Sequence, residues 1–321
     1  MRTVFRQFGA ITWMTAVQEL RQPVLLLVTV SGSVTMLLLP VLIAHQFGED
    51  GKLVRDSALA LYLVFGLPFC VFAADSLRRE RSDGTASVTL SKAVRPELFF
   101  LAKYAGIALL TAGYAVVMTA TVLLADRIAP RAHLADLRLY YILVACMIPA
   151  LGGAGLWNLL TRRSFCATAW MGWILAMVLT LAIASQIKGA AASGLTFIRP
   201  LQWRIVPAGI MIGAALLVFA AVAAALSTHL KPVSAVVVCF LVLLGGLLSD
   251  YALGRFASTS RAADIAYRIM PNWQHFWSAD WLTGGGVIPV GVLGNALVYA
   301  ALYTTGVLAL GVALWRHTEI Y

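Results

Sequence analysis

DSLRRERSDGTASVTLSKAVRPELFFLAK, residues 75–103, is a polar stretch set into a sequence that is apolar almost from end to end. It carries Arg78, Arg79, Arg81, Lys92, Arg95 and Lys103, the acids Glu80, Asp83 and Glu97, and the turn pair Asp83-Gly84. Its flanks decide how it is read. With 61% hydrophobic and only 12% charged residues, the chain has about half the charged fraction of a soluble protein, typically about 25%. The expected fold class is therefore all-α, a polytopic membrane protein.

A membrane-crossing helix needs about 20 mostly apolar residues. Eight segments meet this, at approximately 23–44, 57–75, 99–125, 138–160, 165–187, 206–228, 233–253 and 290–315. An even count places both termini on one side. The fourth and fifth are joined by Thr161-Arg162-Arg163-Ser164 and the sixth and seventh by His229-Leu230-Lys231-Pro232, so each pair reads as a helical hairpin. Placing the N-terminus in the cytoplasm assigns 13 Lys and Arg residues inside and 11 outside. The cluster Arg78, Arg79 and Arg81, directly beside the second span, decides in favour of that orientation.

Working outward, residues 1–22 mix Arg2, Arg6, Glu19 and Arg21 with Phe5, Phe8, Trp13 and Met14, too polar to span and too apolar to float free. They read as an interfacial helix broken from the first span by Pro23. No small-residue cleavage site follows that span, so it is expected to be retained. Residues 23–321 form the transmembrane domain, with a cytoplasmic loop at 76–97. In the outside segment 254–289, Ile265, Ile269, Trp273, Phe276, Trp277 and Trp281 recur near helical spacing. Short helices in the outer interface fit this pattern, and so does an amphipathic loop packed on the bundle.

Several functions lack their residues. The net charge of +10 flanks apolar spans and points to anionic lipid rather than nucleic acid. Cys70, Cys146, Cys166 and Cys239 all fall in apolar runs without metal or redox spacing, and read as core thiols. Ion-coupled transporters keep ionisable groups at mid-membrane depth, yet Asp75, Asp126 and Asp250 fall at span ends and Lys103 at an entrance. Gly48-Glu49-Asp50-Gly51-Lys52 lacks phosphate-loop spacing and continues with Leu53. Gly152-Gly153-Ala154-Gly155 and Gly245-Gly246 fit close helix packing or a broken helix around a substrate. Asn158, Tyr299 and Tyr303 are candidates to line a substrate route, with simple packing as the alternative. A lipid-modifying membrane enzyme would need a pair such as His275 with Asp280.

Glu80-x-x-x-Gly84-Thr85-x-x-x-x-Leu90-Ser91-Lys92-x-Val94, followed by Lys103, resembles the ABC-2 type permeases. Their pattern is E-x-x-x-G-T, a Leu-Ser-basic-Pro-Val-Ser-Arg run and a Lys near the next helix. Ala93 replaces the Pro, and Arg95-Pro96 stands where Ser-Arg is expected. Residues 1–22 are similar to the family's elbow helix. The close of the chain, Pro271-Asn272-Trp273 to Trp281-Leu282 and then Leu314-Trp315-Arg316, is similar to permeases grouped with the nitrous-oxide-reductase maturation permease.

The resemblance implies the membrane subunit of an ABC exporter in the bacterial cytoplasmic (inner) membrane. It pairs with a second copy of itself or a related permease and is driven by separate ATPase subunits, which hold the ATP and Mg. No covalent chemistry and no cofactor is expected of this chain. Coupling to the ATPase falls to Arg78, Arg79, Glu80, Arg81, Gly84, Thr85, Ser91, Lys92, Arg95 and Lys103. Familiar members have six spans, which makes two of the eight an extra hairpin within 138–232. A lipid-modifying enzyme and a secondary transporter are the competing readings.

Overall fold

Proline marks where four of the helices begin. Pro23, Pro96, Pro207 and Pro232 sit at the first or second helical position of their segments, where the missing N–H removes no bond and the fixed φ suits the first turn. The computed structural model describes residues 2–43, 50–83, 95–129, 137–187, 200–257 and 260–317. Among these the chain is all-helical, 89% helical with no strand.

The helices are α1 (Arg2–Glu19), α2 (Pro23–Leu42), α3 (Asp50–Ser82), α4 (Pro96–Ile128), α5 (Leu137–Thr161), α6 (Phe165–Gln186), α7 (Val206–Ser227), α8 (Pro232–Leu247), α9 (Arg261–Ile269) and α10 (Val290–His317). Short 3₁₀ turns lie at Trp203–Ile205, Trp273–Phe276 and Ala279–Gly285. Among the described residues, α2 to α7 and α10 are seven helices long and apolar enough to cross a membrane. This is the architecture of a polytopic membrane protein.

The segment expected as a span at 233–253 is the exception. Helix α8 stops after 16 residues, about 24 Å of rise against a hydrocarbon core of about 30 Å. The chain then widens into a π-helical turn at Asp250–Gly254. In compensation, α3 and α4 run to 33 residues each, about 50 Å, and overshoot any bilayer by several turns.

Helix α7 is the hub, because its Ala- and Gly-rich sequence leaves room for neighbours on every side. Of its most apolar window 72% is buried, against 17% for α5 and 11% for α10. A Cβ at Gly209 would lie 2.4 Å from Thr119 Oγ1, and one at Gly66 would lie 2.4 Å from Leu216, so α4 and α3 both press close. Hydroxyls and a thiol secure these crossings by donating to backbone carbonyls: Tyr62 to Gly209 at 3.2 Å, Cys70 to Leu216 at 3.4 Å, and Tyr104 to Leu217 at 3.1 Å.

The Ser and Thr residues of the spans serve as interhelical glue. Trp170 and Trp173 of α6 donate to Thr29 and Ser33 of α2, each at 3.3 Å. Buried Arg127 at the end of α4 donates to the carbonyls of Ala184 and, at 3.1 Å, Ile187. That places a cation against the carbonyl end of α6, where the helix dipole favours one. Cys70 and Cys239 are buried, Cys146 and Cys166 half-buried, and all four are free thiols.

The segment expected in the outer interface divides in two. Ile265, Ile269, Trp277 and Trp281 are exposed as an interfacial stripe would be. Trp273 and Phe276 instead turn into the bundle and are buried. Trp273 stacks on Phe219 of α7 at 4.0 Å and donates to the Val242 carbonyl of α8 at 3.1 Å. Residues 271–276 are thus a turn wedged among α7, α8 and α10, with a Cβ at Gly246 blocked by the Pro271 carbonyl at 2.2 Å.

Candidate functional site

Charged residues gather where α3 outruns the membrane. Its last turns carry Asp75, Arg78, Arg79, Glu80 and Arg81 on successive faces, so different residues reach different neighbouring helices. Arg78 Nε meets Asp75 at 2.7 Å, and Arg79 Nε lies 3.5 Å from the same carboxylate. Arg79 Nη2 also reaches α1, donating to both oxygens of Glu19 at 3.0 Å. Glu80 pairs with Lys103 of α4. Arg81 Nη1 donates to the Thr228 carbonyl at 2.8 Å, just past α7.

Helix α1 is held by its polar side. Thr15 and Glu19 are buried, whereas Phe5, Trp13 and Met14 are exposed, the reverse of a helix on a soluble protein and the arrangement of one whose outer face meets lipid. The crossing point is Gly106 of α4, where a Cβ would fall 2.7 Å from the Thr15 side chain and 2.8 Å from the Thr12 carbonyl. Thr12 donates to the Ala102 carbonyl at 3.2 Å beside it.

Glu19 is the most enclosed acid of the site, with no side-chain exposure. Burial pushes its carboxyl up from 4.5 to about 7, because loss of water outweighs the attraction of Arg79 and Lys103. Gln22 also donates to it. Lys103 is nearly as enclosed, 4% exposed against 14% for Glu80, and its ammonium lies 5.7 Å from the Phe99 ring centroid.

Of the residues expected to couple to an ATPase, Arg78, Arg79, Glu80, Arg81 and Lys103 lie at this one end of the bundle, Arg78 and Arg79 with Asp75 and Glu19, Glu80 with Lys103, and Arg81 on the Thr228 carbonyl. Gly84, Thr85, Ser91 and Lys92 lie outside the described residues, as does Ala93. Arg95 is exposed and precedes the first turn of α4. Immediately after it, Glu97 pairs with Arg316 at the end of α10, and Trp315 packs on the Phe99 ring at 5.9 Å between centroids. The end of α10 and the crossing of α1 over α4 therefore share one end of the bundle.

The three route candidates are not brought together. Tyr299 accepts the Asn272 N–H at 2.9 Å, and Tyr303 donates to the Ile269 carbonyl. Tyr299 thus pins the wedged turn and Tyr303 the end of α9 before it, and Tyr299 also lines a 400 Å³ cavity with His275 and Asn295. Asn158 sits at the opposite end of the bundle, where it donates to the Arg163 carbonyl and secures the α5–α6 hairpin. Arg162 occupies the left-handed region there, with φ of 54°. Among the described residues no hydrogen bond or ion pair joins His275 to Asp280; the His275 ring packs on Tyr299 at 5.1 Å.

The sequence named one side of these contacts more clearly than the other. Asp75 opens the polar stretch and Arg316 falls in the closing Leu314-Trp315-Arg316 run, but neither was assigned a partner; Thr228 carries no motif, and Glu19 left a trace only as the lone acid of an otherwise basic interfacial segment. No family model, no curated protein and no solved structure matches the chain.

Proposed function

We propose that this chain is the membrane subunit of an ATP-driven exporter of the ABC-2 type, working as a dimer with a second permease and two separate ATPase subunits. The reading starts from the spacing of Glu80, Gly84, Thr85 and Lys103. The observation that carries it further is the Glu80–Lys103 pair, which ties the exit of α3 to the entrance of α4 on either side of residues 84–94.

A loop that transmits force must be anchored in the helices it moves. Here Arg79, Glu80 and Arg81 lead from α3 to α1, α4 and α7, the last being the hub of the fold. A push on the loop from a closing ATPase would reach four helices at once. The Lys and Arg excess of this end supports a cytoplasmic position for it, and the ABC-2 reading supports a bacterial inner membrane. Counting α8 and its π-helical turn as a short eighth crossing puts α1 and the end of α10 on that same side.

The ATP and Mg belong to the partner, and no catalytic step falls to this chain. The test is reconstitution into proteoliposomes with a candidate ABC ATPase subunit, with Cys placed at Thr85. Crosslinking of that Cys to the ATPase, and ATP hydrolysis only by the complex, are the expected results. Hydrolysis by the isolated chain would sink the reading.

A further inference from the structure

At the end of the bundle opposite the Glu80–Lys103 pair, two cavities lie side by side, lined by neighbouring residues of the same segments. The first, about 370 Å³, is polar and is lined by Lys52 and Arg55 of α3, Asp126 of α4, Gln202, Arg204, and the turn from Leu282 to Gly285. Arg204 is fixed there, donating through Nε to Gln202 at 3.0 Å and through Nη1 to the Gly286 carbonyl at 3.2 Å. Arg55 is occupied by Asp56 at 3.0 Å and by the Leu282 carbonyl at 3.2 Å. That leaves Lys52 and Arg204 against the single carboxylate of Asp126, a cationic balance.

The second cavity, about 410 Å³, is almost wholly apolar. Its α4 wall is Ala112, Ala115, Val116, Thr119, Ala120 and Leu123, and its α7 wall is Val206, Gly209, Ile210, Gly213, Ala214 and Leu217. Both sets follow the three- and four-residue spacing of a single helix face. Eleven residues separate the ends of each stripe, about 16 Å, or half of a hydrocarbon core of about 30 Å. The furrow is one leaflet deep.

Its outer end lies beside the polar cavity: Leu123, which lines the furrow, and Asp126, which lines the polar cavity, are one turn apart on α4, and Trp203 lines the furrow while the adjacent Arg204 lines the polar cavity. Trp203 is 55% exposed, as aromatic rings at head-group depth commonly are. The α4 and α7 walls meet at the floor of the furrow, where Gly209 abuts Thr119 and Gly213 abuts Ala115, and Ala112 and Val116 line it from exposed positions.

We propose that the two cavities are one binding site for a phospholipid of that leaflet. Its phosphate is held by Lys52 and Arg204, and one acyl chain lies in the α4–α7 furrow. Charge complementarity at one end and leaflet depth along the other select this occupant over a soluble anion, which would leave the furrow empty. The proposal is independent of the transporter reading.

The test uses the full chain in detergent, titrated with dioleoyl phosphatidylglycerol and followed by native mass spectrometry and thermal stability. Lys52→Glu removes a phosphate contact, and Val116→Trp fills the furrow from a position that is 54% exposed, outside the packed core. Each is expected to weaken lipid retention about tenfold, while Arg163→Glu, at the other end of the bundle, leaves it unchanged. Glycerol phosphate is expected to give no stabilisation. Should Val116→Trp fail to fold, Ala112→Phe fills the same face from an exposed position. Undiminished retention in both site variants, equal loss in Arg163→Glu, or stabilisation by glycerol phosphate alone would each overturn the proposal.

Discussion

Lys103 and Glu80 are ion-paired across the base of the polar stretch, with side chains only 4% and 14% exposed. Their helices diverge from this point, α3 ending at Ser82 and α4 starting at Pro96. The pair fixes the separation of the two helices near their ends.

Removing one member should be worse than removing both. Lys103→Ala takes from Glu80 the ammonium it pairs with, and loss of one partner from a buried pair costs up to about 3–5 kcal/mol. Lys103→Met combined with Glu80→Leu should recover most of the melting temperature lost by the single variant. On the proposed function it should not recover stimulation of the partner ATPase, which needs the helices held in register. Equal stability of single and double variants would contradict the buried-pair account.

Glu19 gives the stability a pH dependence of definite sign. With its carboxyl at about 7 in the fold and 4.5 otherwise, the folded chain binds this proton more tightly than the unfolded one. The resulting stabilisation is complete below pH 4.5 and is lost as the pH rises to about 7. Melting curves of wild type and Glu19→Gln across that window should diverge, with the wild type losing ground at the upper end. Parallel curves would show that Glu19 does not titrate there.

Gly106 controls whether the interfacial helix seats. Gly106→Leu drives a side chain into Thr15 and the Thr12 carbonyl, an overpacking that costs about 1–3 kcal/mol. The bundle should survive, since α1 crosses it at the edge, but a disulfide engineered between positions 12 and 102 should no longer form. Formation at the wild-type rate would show that α1 can shift without leaving.

Trp273 and Trp281 look alike in sequence and should behave differently. Trp273→Ala deletes a buried ring stacked on Phe219 and a bond to the Val242 carbonyl, for a loss of about 3–5 kcal/mol. Trp281 is 50% exposed, and Trp281→Ala should change the melting temperature little. Limited proteolysis between residues 254 and 289 should rise only in the first variant.

The outcome for these two tryptophans shows where sequence periodicity stops. Ile265, Ile269, Trp273, Phe276, Trp277 and Trp281 recur at helical spacing, which reports that one face is apolar. It does not report whether that face meets lipid or protein, because both are apolar environments. The hydroxyls of Tyr299 and Tyr303 carry the same lesson. A tyrosine in a span must place its hydroxyl somewhere, and these two meet the backbone of Asn272 in the wedged turn and of Ile269 at the end of α9.

What the sequence alone determined is that the chain is a polytopic helical membrane protein, with seven of its eight expected spans falling on long apolar helices. Pro23 separates α1 from the first span as expected, and the links at 161–164 and 229–232 fall between consecutive helices, where they were read. These features depend on the transfer free energy of a continuous segment and on backbone geometry at one residue, and neither needs a neighbour. Only the tertiary structure decided that Glu19 answers Arg79, 60 positions away, that α8 falls short of the other spans, and that Trp273 is core. Each of these depends on which helix faces which, and in an apolar chain that choice rests on a few small residues and buried charges whose partners lie far off in sequence.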